Sequence, residues 1–163
     1  ATRPPALRVR ADGASSTVHD VLHGEVTGVV DDFVLVRNDG TPAYNLAVVV
    51  DDLAMGVDQV VRGDDLLSSA PRQAWLATRL GGTPPGYAHV PLAVNADGKR
   101  LAKRDGAVSL SALARLGTRP GQVLTRIAVS LQLAEPEEPV TPSVLLDRFD
   151  PAMLPRDPGV VSA

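Results

Sequence analysis

Apolar and polar positions alternate in short runs over the first 40 residues, a pattern typical of β-strands joined by tight turns. The runs LRVR, EVTGVV and DDFVLVR show this alternation. The stretches DGASS and NDGT that separate them are rich in the Asp, Gly, Ser and Asn of turns. We therefore predict a β-rich segment over residues 1–40.

The next segment predicts helices alternating with strands. TPAYNLAVVVDDLAMG is too continuously apolar for periodicity to separate strand from helix, and we interpret it as a strand ending near Asn45, then a short helix ending at Gly56. VDQVVRG predicts a strand whose β-branched residues indicate that both faces are covered, as in a parallel sheet. LLSSAPRQAWLATRLGG predicts a helix with Pro71 in its first turn and Gly81 as its terminator. AHVPLAV predicts the next strand, so residues 57–94 form a strand–helix–strand unit with a right-handed crossover.

The pattern becomes helical after residue 108. SLSALARLG, TRPGQVLTRIAVSLQLA and TPSVLLDRF each predict an amphipathic helix, and the last begins with Thr141 before a proline, a typical helix start. The final DPAMLPRDPGVVSA predicts an irregular end. The predicted fold class is therefore α/β, followed by a small all-helical region.

Composition narrows the function classes. The chain has 163 residues, 44% of them hydrophobic, which is enough for the core of one ordinary domain. A net charge of −3 gives no global signature of nucleic-acid binding, so phosphate contacts would come from a local patch. The absence of cysteine excludes disulfides and thiolate metal sites within the chain. No run approaches the roughly 20 apolar residues of a membrane span, and we expect a cytoplasmic protein with no membrane partner.

Polar residues that follow the predicted strands are the first candidates for a ligand site, because open α/β sheets bind ligands at the carboxyl ends of their strands. Arg62 could bind a carboxylate bidentately, and Tyr44 could add a hydroxyl hydrogen bond. Asp64 or Asp65 could hold an amine or ribose hydroxyls. Together these groups suit an amino-acid-like ligand. The alternative is that Arg62 and the aspartates form a surface ion pair at a strand-to-helix turn.

Two further patterns invite a chemical interpretation. KRLAKRDG, residues 99–106, concentrates cations in a chain that is slightly acidic overall. This run is either a loop that meets nucleotide phosphates or a solvated β-turn. His19 and His23 are four residues apart and could share a helix face as metal ligands, but a third ligand is not apparent nearby, so we expect no metal site.

The ordered series DDFVLVRNDGTPAYNLAVVVDDLAMGVDQVVRGDDLLSSAPRQ and HVPLAVNADGKRLAKRDGAVSL resembles the class I glutamyl-tRNA synthetase family. The resemblance covers nearly all of residues 1–135 and is greatest to the short glutamyl-Q tRNA(Asp) synthetase branch. It implies the second half of a Rossmann-type nucleotide-binding domain with a stem-like region. Residues 1–40 would be the β-rich end of the acceptor-binding insertion, 41–108 the second half of the catalytic domain, and 109–163 the helical stem-like region and irregular tail.

The resemblance also assigns a phosphate-binding loop. RLAKR, residues 100–104, stands where the family has its KMSKS signature, a mobile loop that closes on ATP. Lys103 matches the second lysine of that signature, whereas Arg100 replaces the first lysine and Ala102 replaces the serine. Lys103, with Arg100 and Arg104, would then stabilise the triphosphate charge during catalysis.

The remaining site residues are implied in the same way. Tyr44 and Arg62 match family residues that line the glutamate pocket. Asp65 stands where an acidic residue borders the ribose of ATP, and Leu92 and Ala93 match the strand end whose backbone faces adenine.

The activity implied by the resemblance is activation of glutamate by ATP with Mg²⁺, followed by transfer to queuosine of tRNA(Asp). The HIGH signature of the family and the early arginine and glutamate of its amino-acid site are not found in the sequence. We therefore expect the N-terminal half of the site to be a missing partner segment, which would also be the only place for zinc. About sixty residues follow the KMSKS-like loop, which favours the short branch. The alternatives are a truncated glutamyl-tRNA synthetase and a non-catalytic half-synthetase that binds ATP, tRNA or a synthetase partner.

Overall fold

The computed structural model describes residues 4–95, 97–100 and 109–160. The chain divides into two compact units, Ala1–Val90 and Pro91–Ala163. The strands and helices, in chain order, are β1 Leu7–Arg8, β2 Ser15–Asp20, β3 Gly24–Val29, β4 Val34–Val36, α1 Tyr44–Met55, β5 Gln59–Gly63, α2 Ala70–Arg79, β6 Gly86–Val90, β7 Ala93–Val94, α3 Leu110–Arg115, α4 Pro120–Ser130, α5 Pro142–Arg148 and β8 Gly159–Val160. Short 3₁₀ helices cover Asp64–Ser69 and Pro151–Met153.

The first unit is built around a mixed four-stranded sheet with the order β3-β2-β6-β5. β2 and β3 form an antiparallel hairpin. β3 covers most of the predicted strand EVTGVV, whereas β2 was not predicted as a strand and begins within DGASS, which was predicted as a turn. β5 and β6 are parallel, in register from Gln59 opposite Gly86 to Gly63 opposite Val90. β2 joins β6 in parallel through the pair Asp20 and Tyr87. The α/β class is therefore confirmed, and so is the parallel strand–helix–strand unit formed by β5, α2 and β6.

Helix α2 joins the two hydrophobic clusters of this unit. Its small buried residues, Ala70 and Ala74, pack with Val18 and Tyr87 of the sheet. Leu76 and Ala77 of α2 belong to the second cluster, together with residues of α1 and of the segments around β4. The buried members of this cluster are Ala11, Val30, Phe33, Val49, Leu76 and Ala77. This packing fixes the position of the carboxyl ends of β5 and β6 relative to the start of α1. The polar side chains of the candidate site gather there.

The prediction of a strand ending near Asn45 is wrong. Helix α1 spans Tyr44–Met55, and the following Gly56 caps it in the left-handed conformation with φ of 68°, as expected of a helix terminator. The β-branched run within α1 gives a strand-like pattern, but tertiary packing overrides it because Val49 is buried in the core on one helix face. Tyr44 is therefore a residue of the first helical turn and not of a strand end.

Two strand predictions also need correction. AHVPLAV forms two strands, β6 and β7, because Pro91 lacks the N–H that a continuous ladder would use. The expectation that both faces of VDQVVRG are covered is wrong for Val61, which is 61% exposed. β5 is an edge strand of the sheet formed by the described residues.

The second unit contains the three predicted helices α3, α4 and α5 and the short parallel pair of β7 and β8. Thr141 caps α5 by accepting a hydrogen bond from the Val144 amide, as its position before a proline predicts. Helix α4 turns Thr125 and Ala128 inward, whereas its Ile127 is 50% exposed. None of the helices in the described ranges combines the length and the apolar character that crossing a bilayer requires.

Candidate functional site

Arg62 lies at the carboxyl end of β5, one residue before the strand ends at Gly63. The neighbouring parallel strand β6 places His89 directly opposite Arg62 in register. Ligands of open α/β sheets bind at such strand ends, so both side chains occupy the expected edge.

The Arg62 guanidinium is partly buried and contacts three neutral acceptors. Its Nε donates to Nε2 of His89 at 2.9 Å, and NH1 donates to Oε1 of Gln73 at 2.7 Å. NH2 donates to the Leu66 carbonyl at 3.3 Å. The guanidinium carbon also lies 5.8 Å from the centroid of the Tyr87 ring. Every nitrogen of the guanidinium is thereby oriented.

The alternative of an ion pair between Arg62 and its neighbouring aspartates is not what the structure shows. Among the described residues, Arg62 makes no ion pair, and the groups that it contacts carry no charge. An arginine has five N–H groups, so each terminal nitrogen keeps one N–H without a partner in the described part of the chain. Arg62 thus offers a planar pair of donors and an unneutralised positive charge.

Gln73 connects Arg62 to the start of helix α1. The Gln73 Nε2 donates to Oδ1 of Asn45 at 3.0 Å, while its Oε1 faces Arg62. Tyr44, the residue before Asn45, is 58% exposed. The structure therefore brings the first turn of α1, which carries Tyr44, to the same edge as Arg62.

A buried pair lies behind Arg62. Asp20 and His89 are both 0% exposed, and Oδ2 of Asp20 is 2.7 Å from Nδ1 of His89. Oδ2 also accepts from the His89 amide, and Oδ1 accepts from the amides of Leu22 and His23. Burial alone raises the pKa of Asp20, but these hydrogen bonds, first that of the His89 side chain, outweigh it and lower the pKa below its ordinary value of 3.8. Asp20 is therefore a carboxylate at neutral pH.

Tyr87 packs against the buried pair of Asp20 and His89. Its ring stacks with that of His89 at a centroid distance of 6.0 Å. Burial raises the pKa of Tyr87 to about 12, an effect that Arg62 opposes and Asp52 reinforces. Tyr87 is thus uncharged at neutral pH. We call the five residues Asp20, His89, Arg62, Gln73 and Asn45 the Arg62 network.

The other predicted site residues are distributed over both units. Asp65 is exposed in the 3₁₀ helix after β5, two residues past the strand end. Leu92 and Ala93 belong to the second unit, where the Leu92 carbonyl accepts from the Gly159 amide at 3.0 Å.

The KMSKS-like loop is described only at its start. Arg100 forms a bridge with Val94 in the second unit. Ala102, Lys103 and Arg104 lie outside the described residues, so their predicted roles stay predictions.

Sequence reasoning missed most of the Arg62 network. His89, Asp20, Gln73 and Asn45 were not predicted as site residues. The available signal was a histidine within the apolar strand AHV, because a buried polar side chain requires a partner. His19 lies in β2 and His23 in the turn after it, and not on one helix face. In the described ranges no group of three or more His, Cys, Asp or Glu side chains could hold a metal ion.

Comparison with known proteins identifies the family. Residues 1–140 match the profile of the family described as tRNA synthetases class I (E and Q), catalytic domain. A glutamyl-Q tRNA(Asp) synthetase of Nocardia farcinica is 60% identical over 98% of this chain and 50% of its own length. One of Cutibacterium acnes is 49% identical over 94% of this chain and 47% of its own length. A glutamate–tRNA ligase of Nitrosomonas europaea is 39% identical, over 95% of this chain and 34% of its own length.

A solved structure shares the fold. The crystal structure of a glutamate tRNA ligase from Elizabethkingia meningosepticum, in complex with its amino acid, matches with a TM-score of 0.78 and 25% identity over 97% of this chain and 36% of that one. The chain spans about half the length of its glutamyl-Q relatives and about a third of the ligases. The mixed α/β sheet is therefore that of a class I synthetase catalytic domain. This chain belongs to the class I tRNA synthetase (E and Q) family.

Proposed function

We propose that this chain forms the second half of a site that activates glutamate with ATP and transfers it to queuosine of tRNA(Asp). In this proposal residues 1–40 end the acceptor-binding insertion, 41–108 complete the catalytic domain, and 109–163 form the stem-like region. The first half of the site comes from sequence outside these 163 residues. The similarity to two glutamyl-Q tRNA(Asp) synthetases supports the proposed acceptor.

The observation that carries the proposal is the unneutralised guanidinium of Arg62. Three neutral groups orient it, and no carboxylate of the described residues pairs with it. A partly buried cation without a counter-ion gains most from a ligand that brings one, and a carboxylate matches the planar donors of arginine bidentately. Arg62 therefore binds a carboxylate of glutamate, and the exposed Tyr44 adds a hydroxyl contact.

The remaining residues take the ATP side. Lys103, with Arg100 and Arg104, stabilises the negative charge that develops on the leaving pyrophosphate. Asp65 borders the ribose, and the backbone of Leu92 and Ala93 faces adenine. Mg²⁺ accompanies the phosphates of ATP.

The proposed reaction has two steps. A glutamate carboxylate oxygen attacks the α-phosphorus of ATP, so that glutamyl-adenylate forms and pyrophosphate leaves. A hydroxyl of the queuosine cyclopentene ring then attacks the activated carbonyl carbon, and AMP leaves. Arg62 contributes by holding glutamate in place during both steps, which lowers the entropic cost of reaching the reactive geometry.

The test uses the full-length polypeptide that contains this chain. Glutamate-dependent ATP–pyrophosphate exchange is measured first, with glutamine and aspartate as controls. Transfer of labelled glutamate is then measured to tRNA(Asp) with queuosine, tRNA(Asp) without it, and tRNA(Glu). We expect exchange with glutamate and transfer only to the queuosine-containing tRNA.

Two other outcomes would replace parts of the proposal. Transfer to tRNA(Glu) instead would make the protein an ordinary glutamate–tRNA ligase, the alternative that the Nitrosomonas europaea relative favours. No exchange with any amino acid would leave a non-catalytic binding module and overturn the proposed activity.

A further inference from the structure

Arg62 is an obligate donor, and this decides the protonation of the histidine that it contacts. A guanidinium N–H points at Nε2 of His89 at 2.9 Å, so Nε2 must present a lone pair. The other ring nitrogen, Nδ1, faces the Asp20 carboxylate at 2.7 Å and therefore carries the proton. His89 is thus a neutral imidazole with its proton on Nδ1.

The Asp20 carboxylate acts only as a hydrogen-bond acceptor in this arrangement. Its four hydrogen bonds all come from donors: the His89 ring and the amides of His89, Leu22 and His23. The carboxylate is fully buried, so water does not compete for it. A buried acceptor that faces Nδ1 favours the tautomer with hydrogen on Nδ1. The same tautomer leaves Nε2 free to accept from Arg62.

A neutral acceptor has a specific advantage in this position. A carboxylate in direct contact with Arg62 would orient the guanidinium but would also pair with its charge. The imidazole of His89 orients the Nε edge while the two terminal nitrogens keep donors for a ligand. The negative charge of Asp20 lies on the far side of the ring.

We propose that His89 is a positioning residue for Arg62, and that buried Asp20 keeps His89 in the tautomer that can accept from the arginine. The part that concerns glutamate rests on the proposed function, whereas the tautomer does not. Preorganisation of Arg62 by this contact lowers the cost of ordering the guanidinium when the carboxylate binds.

Two variants of His89 separate its two contacts. In His89→Asn the side-chain amide reaches the place of Nδ1 and can still donate to Asp20, but nothing reaches the place of Nε2. In His89→Gln the amide oxygen reaches the place of Nε2 and can accept from Arg62. We expect His89→Asn to raise the KM for glutamate in ATP–pyrophosphate exchange at least about tenfold, the equivalent of about 1.4 kcal/mol. His89→Gln should stay within about threefold of the wild type, and the KM for ATP should change little in both.

A purely structural role predicts a different result. Equal effects of the two variants, or equal changes in the KM for glutamate and for ATP, would overturn the positioning role. Thermal unfolding of both variants shows whether either has lost its fold.

The tautomer is measured on the wild-type chain, so it does not depend on activity or on any variant. We expect ¹⁵N NMR of the histidine rings to show His89 with a protonated Nδ1 and an unprotonated Nε2 at neutral pH. A proton on Nε2, alone or with one on Nδ1, would overturn the proposal. If wild-type exchange is absent while this tautomer is found, the proposed function fails and the role of Asp20 stands. If exchange is present and the two variants behave alike, the positioning role alone fails.

Discussion

At the scale of single residues, a buried carboxylate and a partly buried guanidinium share one neutral ring. Asp20 and Arg62 do not touch, and His89 contacts both at 2.7 and 2.9 Å. Each charge is therefore stabilised by hydrogen bonds without direct neutralisation of the arginine. The Arg62 guanidinium is therefore held in one orientation while its positive charge still attracts an anion.

The first prediction concerns Asp20→Asn. An amide cannot accept all four hydrogen bonds, because one of its ends is itself a donor, so at about pH 7 the free energy of unfolding should fall by about 3 kcal/mol. The native pKa of Asp20 lies below its ordinary value of 3.8. Its stabilising contribution is therefore fully present above that value and is lost as the pH falls through the native pKa.

Urea unfolding over a range of pH checks both statements. The difference between wild type and Asp20→Asn should be constant from about pH 7 to about pH 5 and shrink toward about pH 2. The exposed Asp58→Asn provides the control and should change stability by less than about 0.5 kcal/mol. A difference that grows as the pH falls would contradict the assignment of Asp20 as a native carboxylate.

The sequence indicated candidate roles for side chains only where the residues involved are close in the chain. Arg62 and the neighbouring aspartates form one local motif, from which a carboxylate ligand and a surface ion pair were the two alternatives. The role of Arg62 as a carboxylate ligand stays a prediction. Asp20 and His89 are 69 residues apart. Their contact depends on the parallel pairing of β2 with β6, which no local pattern encodes. The ion pair proposed as the alternative for Arg62 was wrong because three neutral acceptors orient the guanidinium instead.

At the scale of elements, start and stop residues predicted the helices better than apolar periodicity did. Gly56 and Thr141 end and begin helices as expected, because their backbone and side-chain chemistry acts locally. The apolar run before Gly56 was ambiguous between helix and strand, because packing against the surrounding core determines its conformation and the local sequence does not. Periodicity alone could not show that Tyr44 begins a helix.

The second prediction tests the terminator of α1. Gly56 has φ of 68°, where a side chain is strained, so Gly56→Ala should lower the free energy of unfolding by about 1 kcal/mol. Gly121 lies inside α4 with open space around it and no positive φ, so Gly121→Ala should be neutral or slightly stabilising. Denaturant unfolding of both variants gives the comparison. Equal losses would show that the conformation at Gly56 is not the cause.

At the scale of the whole molecule, the chain corresponds to only part of the synthetases that it resembles. It spans about half the length of its glutamyl-Q relatives, and the family profile covers residues 1–140. The order of motifs along the chain allowed the family to be predicted. The assembled site could not be predicted, because its proposed partners lie outside these residues.

The third prediction concerns the KMSKS-like loop in the full-length polypeptide. Lys103→Ala should lower the rate of glutamate-dependent ATP–pyrophosphate exchange at least tenfold, about 1.4 kcal/mol, because an ammonium at the phosphates stabilises the leaving pyrophosphate. The control is Arg79→Ala, which removes a cation that stacks on Trp75 in α2. An unchanged rate for Lys103→Ala would remove the role assigned to this lysine.

The central claim is that Arg62 binds a carboxylate of glutamate, and its most direct test is the KM for glutamate in exchange by the full-length polypeptide. Arg62→Met keeps much of the side-chain length but removes every donor. Arg37, whose side chain is 63% exposed and pairs with Asp39 at 3.5 Å, provides the matched control Arg37→Met. We predict that Arg62→Met raises the KM for glutamate at least about thirtyfold, about 2 kcal/mol, with little change in the KM for ATP, while Arg37→Met changes neither. A KM for glutamate that is the same in Arg62→Met and wild type would contradict the claim.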